Sequence, residues 1–282
     1  MLVLSQEHVV QGSLNADTAA KVLAMTGVNG LAIVRSQPAI GAENAARRLQ
    51  ELEQFGSSLG TPVMQSPRRE LVEDVKDYSD IETTDDRGYR SGGELLPHSD
   101  PPTLIVLHCL QKAKEGGESC LVRVGDIVAR MTATDPALVD QLFLPFPDWR
   151  VAGQYGIAEA SPADEARPVL ARHNGILSCV LYRPYIENAA RALGTPLSVE
   201  QIAALDLFEQ CSLASDLSIR LMLEPGDTLV LHNRSILHAR THFSDWPEMH
   251  RRRHLLRMWI DAPEALPVHP LHELGDFFAP RP

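Results

Sequence analysis

Apolar residues recur along this chain in two rhythms. Between residues 41 and 55, Ala45, Leu49, Leu52 and Phe55 fall at helical spacing with Arg47, Arg48, Glu51 and Glu53 between them, which predicts a helix laid on a sheet. Asp17–Met25 predicts a short helix capped by Asp17 and stopped near Gly27, because Asp accepts from the first turn and Gly ends helices readily. Asp135-Pro136 has the form of an N-cap followed by proline at the first helical position, within helical pieces over 125–142. Ser198-Val199-Glu200-Gln201 fits a capping box, and the helix after it would bury Ile202, Leu205, Phe208 and Ser212 on one face.

The second rhythm is short apolar runs bounded by Gly and Pro. Gly30–Arg35, Leu104–Leu110, Ser119–Arg123, Gly175–Leu181 and Thr228–His232 read as strands. Glu115-Gly116-Gly117-Glu118 looks like the turn of a hairpin joining the second and third of these. If 253–260 is extended, Arg253, Leu255, Arg257 and Trp259 share one side, with His254, Leu256, Met258 and Ile260 on the other. Residues 60–86 are polar and broken by Pro62 and Pro67, a strand-and-loop region, and 143–187 reads as strands and irregular lid material. The 20 prolines and the brevity of the strands argue against a doubly wound parallel sheet.

Composition narrows the partners more than the fold. With 282 residues, 44% hydrophobic and 22% charged, the chain has the make-up of one large domain spanning 1–282. A formal net charge of −11 disfavours a phosphate-tracking surface, so nucleic acid is not expected and a small-molecule substrate is. Cys109, Cys120, Cys179 and Cys211 form no C-x-x-C pair and read as buried thiols. Met1–His8 lacks the basic start and apolar run of a signal peptide, and no stretch reaches membrane-spanning length, so a cytoplasmic protein without membrane partners is expected. A homo-oligomer is compatible with all of this.

Candidate chemistry begins at Leu96-Pro97-His98-Ser99-Asp100. On an extended segment His98 and Asp100 project from the same face, because side chains alternate with period two. Two imidazoles and a carboxylate on one face of a metal leave positions open, the arrangement of non-haem Fe(II) oxygenases, though a zinc hydrolase uses similar ligands. A third ligand is needed, and the later stretches dense in ligands and anion binders are His232–Arg240 and Arg251–Arg257. An anionic co-substrate chelating such a metal needs a fixed cation at its far end, which Arg253 could supply as a planar two-pronged donor.

In these blocks the sequence resembles the Fe(II)- and 2-oxoglutarate-dependent dioxygenases of the taurine dioxygenase family, which includes gamma-butyrobetaine hydroxylase and herbicide-degrading relatives. The likeness runs roughly from Gly30 to Asp261. It is carried by His98-Ser99-Asp100, by Gly116-Gly117-Glu118-Ser119, and by Pro225-Gly226-Asp227 through Asn233-Arg234 to His238 and Arg253–Arg257. The resemblance implies a mainly β fold with covering α-helices, the double-stranded β-helix or jelly roll. It implies Fe(II) held by His98, Asp100 and His238, with Ser119 and Arg253 binding 2-oxoglutarate and Arg257 near substrate or co-substrate. The implied reaction consumes O2, converts 2-oxoglutarate to succinate and CO2, and usually hydroxylates a carbon of a small polar metabolite, here expected to bear an amine or a carboxylate. Because Asp100 is present, where related halogenases lack the carboxylate, hydroxylation or a related oxidation is implied.

Glu94, four residues before His98, departs from the Asn of taurine-oxidising members; lining a pocket it would favour an amine-bearing substrate, and otherwise it is a solvated loop glutamate. Tyr89, Tyr155, Arg183 and Tyr185 lie in segments that could close over the site. Arg251 and Arg252 read as a solvated basic run, and His108, His232 and His254 as core or supporting histidines. The competing reading is a metal-binding jelly roll without oxygenase activity, either a zinc-site hydrolase or a 2-oxoglutarate sensor.

Overall fold

The computed structural model describes residues 3–38, 42–65, 70–80, 88–147 and 166–274, with 42–46 described in backbone only. A seven-stranded and a four-stranded sheet carry the architecture. In chain order the strands are β1 (Val9–Gln11), β2 (Leu31–Arg35), β3 (Thr61–Val63), β4 (Val72–Val75), β5 (Leu95–His98), β6 (Leu104–Gln111), β7 (Ser119–Arg123), β8 (Ser218–Leu221), β9 (Asp227–His232), β10 (Ile236–Arg240) and β11 (His254–Asp261). The larger sheet runs β1-β2-β9-β6-β11-β3, with β4 also paired to β11, and the smaller runs β8-β7-β10-β5. Apart from the parallel β1–β2 pair, these ladders are antiparallel.

Alternation along the strands explains the layering. On β2, Leu31 and Ile33 pack with Leu121, Leu221 and Ile236 of the smaller sheet, while Ala32 and Val34 pack outward against Val22, Leu52 and Phe55. The latter come from helices α1 (Ala16–Asn29) and α2 (Ala42–Leu59). On the far side, Val122 and Leu237 meet Ile127, Met131, Leu205 and Phe208 from α3 (Val124–Thr134) and α6 (Val199–Ser212). Each fully buried Leu, Ile or Phe contributes about 1.5–3 kcal/mol relative to exposure. The result is a jelly roll: two sheets face to face, with helices covering both outer surfaces.

Helix ends follow the cap chemistry. The Ser198–Gln201 capping box is present, and Asp135 caps α4 (Pro136–Gln141) by accepting from the Ala137 and Leu138 amides. Helix α1 is capped by Asn15, whose Oδ1 accepts from Thr18 N at 2.9 Å, and ends at Gly30 in the left-handed region, so Asp17 and Gly27 both lie inside it. Ile202 is exposed, because the first turn of α6 projects past the core that buries Leu205 and Phe208. A further helix, α5 (Arg183–Leu193), begins inside the 143–187 stretch expected to be strands and irregular chain and runs past its end; Ile186, Ala189 and Ala190 are its buried face and Gly194 its terminator.

The expected hairpin between β6 and β7 does not form. Both edges of β6 are taken, by β9 and β11, while β7 pairs with β8 and β10 in the other sheet. Residues 112–118 therefore carry the chain between sheets, and Gly116 and Gly117, at φ 73° and 79°, permit the change of direction. Strand β11 does extend through Ile260, with Leu255 and Trp259 facing the smaller sheet and Leu256, Met258 and Ile260 facing the helices. The four cysteines are free, with Cys120 less buried than the rest. Among the described residues no helix is long and apolar enough to cross a membrane.

Candidate active site

Strand pairing brings the two candidate histidines together. His98 ends β5 directly opposite His238 of β10, and their ring centroids are 4.3 Å apart. Asp100 lies two residues beyond His98, and its backbone is fixed from the turn before β10. Asn233 Nδ2 donates to Asp100 O at 2.6 Å, Asn233 Oδ1 accepts from Asp100 N at 3.1 Å, and the fully buried Arg234 donates Nη1 to Asp100 O at 2.7 Å. Asp100 Oδ1 then stands 3.8 Å from His98 Nε2, and its Oδ2 3.8 Å from His238 Nε2. One ligand atom from each of the three side chains lies within 4.8 Å of the others, a spacing that can hold a metal ion.

Protonation states suit that role. His98 Nδ1 lies 2.8 Å from the Leu96 carbonyl, which can only accept, so Nδ1 carries the hydrogen and Nε2 offers its lone pair to the centre. Burial, reinforced by His98 and opposed by Asp100, pushes His238 down to about 3, leaving it neutral and able to ligate. Burial pushes the Asp100 carboxyl up, but Arg257, the two imidazoles and the Trp259 N–H together outweigh it and hold Asp100 below the usual carboxylate range.

These groups open into a cavity of about 590 Å³ between the sheets, which Ser119, Arg253, Arg257 and Glu94 also line. Ser119 starts β7 and is buried. Arg253 is 5% exposed, its Nη1 is buried without a hydrogen-bond partner, and burial pushes it down to about 10, so it stays cationic at neutral pH. Its backbone N donates to both carboxylate oxygens of Asp245, at 2.9 and 2.8 Å. A Cβ at Gly117 would lie 3.1 Å from Arg253 Nε, so glycine lets the inter-sheet crossing pass against the guanidinium. Arg257 lines the cavity but reaches Asp100 Oδ2, 3.3 Å from its Nη1. Glu94 is exposed at the mouth.

A profile of the "Taurine catabolism dioxygenase TauD, TfdA family" matches residues 6–259. The chain belongs to the TauD/TfdA family. Among its relatives, FR-33289 synthase of Streptomyces rubellomurinus is 29% identical over 252 residues, 85% of this chain and 73% of that protein. Taurine hydroxylase-like protein SAT17 of Stachybotrys chartarum is 30% identical over 185 residues, 61% of this chain and 43% of that larger protein. An asparagine oxygenase solved with Fe(II), 2S,3S-3-hydroxyasparagine and succinate shares the fold at a TM-score of 0.66 and 18% identity, over 87% of this chain and 78% of that one. The oxygenase OrfP, solved with Fe, succinate and (3R,4R)-dihydroxy-L-Arg, does so at 0.63 and 14%, over 87% and 80%. As a TauD/TfdA member the protein is an oxygenase that uses iron and 2-oxoglutarate, and the His-Asp-His cluster fits the iron.

Other candidates in this TauD/TfdA oxygenase fall into place unevenly. Tyr89, Arg183 and Tyr185 line the cavity, whereas Tyr155 lies outside the described residues. Arg252 is not solvated: it is buried and its two terminal nitrogens each donate to Asp80 at 2.6 Å, because residues 77–80 fold over it. Arg251 stacks on Trp246, 3.6 Å from the ring centroid. His108 and His232 are buried, while His254 is half-exposed and pairs with Asp74 across β4.

Several site residues escaped sequence reasoning. Arg240 follows His238 by one period of the strand, so alternation already placed it on the cavity face; it is buried, and its Nη2 donates to the carbonyls of Ser91, at 2.7 Å, and Gly93. Trp259 shares the face of Arg257 and donates Nε1–H to Asp100 Oδ2 at 3.1 Å. Gln65, which accepts from Arg257 Nε at 2.8 Å, carried no local signal at all.

Proposed function

We propose that this oxygenase hydroxylates, or otherwise oxidises, an unactivated carbon of a small, polar, amine-bearing metabolite, with His98, Asp100 and His238 holding the iron. The observation that carries the reading is the buried, unpartnered Nη1 of Arg253 in the cavity that holds the His-Asp-His cluster. A buried cation needs an anion, and a guanidinium is shaped for a carboxylate. Arg253 would bind the far carboxylate of 2-oxoglutarate, with the Ser119 hydroxyl as a further donor to it. Bound at the cluster, iron(II) would couple oxidative decarboxylation of 2-oxoglutarate by O2, giving succinate and CO2, to insertion of the second oxygen atom into a substrate C–H bond.

The chain's own groups do the positioning. His98, neutral His238 and anionic Asp100 would supply three donors from one side, which leaves the cavity side for 2-oxoglutarate and O2. Apolar Leu107, Leu121, Leu229 and Leu255 line the interior and limit water there. Glu94 lines the cavity, as do Arg183 and two of the carboxylates paired with it, Glu187 at 2.7 Å and Glu209 at 2.6 Å, while a third, Asp206, pairs with Arg183 at 2.7 Å outside the lining. That excess of acid favours a cationic group on the substrate, consistent with the hydroxylated amino acids held by the two solved relatives. With Fe(II), ascorbate and O2, a panel of amino acids and related amines should raise succinate formation from 2-oxoglutarate above the substrate-free rate, and His98→Ala should abolish it. Failure of every amine, with stimulation by a substrate lacking one, would refute the amine assignment, and Glu94→Gln should weaken KM for the active amine.

A further inference from the structure

We infer that Gln65, Arg257 and Trp259 form a brace that fixes Asp100 as a one-oxygen ligand, and that Arg257 serves this carboxylate instead of anchoring an anionic group of the substrate. The inference rests on the assignment of Asp100 to the metal. Its two oxygens stand in unlike surroundings. Oδ2 accepts from Trp259 Nε1 at 3.1 Å and from Arg257 Nη1 at 3.3 Å and stands 3.8 Å from His238 Nε2, whereas Oδ1 stands 3.8 Å from His98 Nε2 and takes no N–H donor among the described residues. Two N–H donors on Oδ2 occupy its lone pairs, so Oδ1 is the oxygen whose lone pairs are left for a cation.

Neither donor can drift. Trp259 is 2% exposed and packed in the core between the sheets. The Arg257 guanidinium lies over the Tyr89 ring, 4.5 Å from its centroid, and 5.1 Å from that of Trp259. Its Nε donates to Gln65 Oε1 at 2.8 Å. Gln65 is itself held, since its Nε2 donates to the carbonyls of Arg257 at 2.8 Å and Leu71 at 3.0 Å, which fixes which amide atom faces Arg257. Arg257 thus has two of its donor nitrogens committed inside the protein, and a side chain so engaged is a positioning residue. A carboxylate prearranged in this way meets the metal without reorganising, and outer partners of this kind change metal affinity by about tenfold to a hundredfold when removed.

Co(II) serves as the probe, titrated by its visible absorption in the absence of 2-oxoglutarate. Trp259→Phe, which keeps an aromatic ring in the core but loses the pyrrole part with its N–H donor, and Arg257→Gln should each weaken Co(II) binding about tenfold or more, with Arg257→Lys recovering part of the loss. The double variant should lose less than the product of the single losses, because both donors act on one oxygen. In the metal-free wild type, 15N-labelled tryptophan gives a second readout: Asp100→Asn should shift the indole resonance that Trp259→Phe removes. Co(II) affinity within twofold of wild type in both single variants, with Arg257→Gln raising only the substrate KM, would overturn the brace. An indole resonance indifferent to Asp100→Asn would overturn it too. If wild type binds Co(II) no better than His98→Ala, the metal assignment itself fails, and the indole measurement still decides whether the brace exists.

Discussion

Arg253 illustrates what a single residue reveals when its neighbours are accounted for. A buried guanidinium nitrogen without a partner is costly, and the cost is relieved when a carboxylate arrives. Arg253→Ala is therefore expected to raise the 2-oxoglutarate Kd by about ten- to a hundredfold, the range of a charged hydrogen-bonded pair, while Arg253→Lys retains part of the affinity and loses the two-pronged geometry. Anaerobic titration of the visible band of the Fe(II)–2-oxoglutarate complex measures this; an unchanged Kd in Arg253→Ala would remove Arg253 from the co-substrate site. At this scale the sequence was informative where candidate residues fall at even spacing in or next to one strand: Asp100 follows the end of β5 two residues after His98, and Arg257 and Trp259 share a face of β11, with Arg253 just before it. Gln65 was illegible because the residue it braces, Arg257, is 192 positions away.

Between elements, the decisive feature is the crossing at Gly116-Gly117. A turn rich in glycine after an apolar strand reads naturally as a hairpin, yet here it carries the chain from one sheet to the other, because β9 and β11 occupy both edges of β6. Local turn chemistry was legible; the choice of partner strand, set by long-range pairing, was not. The same crossing touches the site, so Gly117→Ala makes a separable prediction. Its backbone at φ 79° disfavours any side chain by about 1–2 kcal/mol, and the new Cβ would press on Arg253 Nε and Cδ at 3.1 and 3.2 Å. The expected outcome is a several-fold weaker 2-oxoglutarate affinity with Co(II) affinity preserved, read from the two titrations side by side. Helix α5 shows the opposite lesson: Ile186, Ala189 and Ala190 are spaced for a helix, and the Pro and Gly around them obscured it.

Across the whole molecule, buried neutral histidines set the acid limit of stability. Burial, aided by Arg48 at His108 and Arg234 at His232, pushes both down to about 4, and burial is likewise the main cause at His272, pushed to about 3 despite its bond to the Pro168 carbonyl. Once unfolded, each takes up a proton near pH 6.5, so the unfolded state binds more protons and stability falls as pH drops from about 6.5 towards 4, by up to about 1.4 kcal/mol per pH unit for each histidine. Tm should decline steeply across that window, and His272→Gln should flatten part of the slope; coincident melts at pH 7 and pH 5 would contradict the claim. Layered architecture was implied by family resemblance more than by periodicity, because short strands fix burial but not which sheet they join.

Asp100 occupies a junction whose consequence concerns how variants are interpreted. Its backbone is gripped from the turn before β10 in the smaller sheet, and its side chain takes hydrogen bonds from β11 in the larger one. Replacing it with alanine deletes a candidate ligand and at the same moment unties the two walls of the cavity by removing the acceptor that Arg257 Nη1 and Trp259 Nε1 share. A dead Asp100→Ala enzyme would therefore say little about which loss killed it. His98→Ala and His238→Ala leave that tie intact, and they are the cleaner instruments for asking what the metal alone contributes.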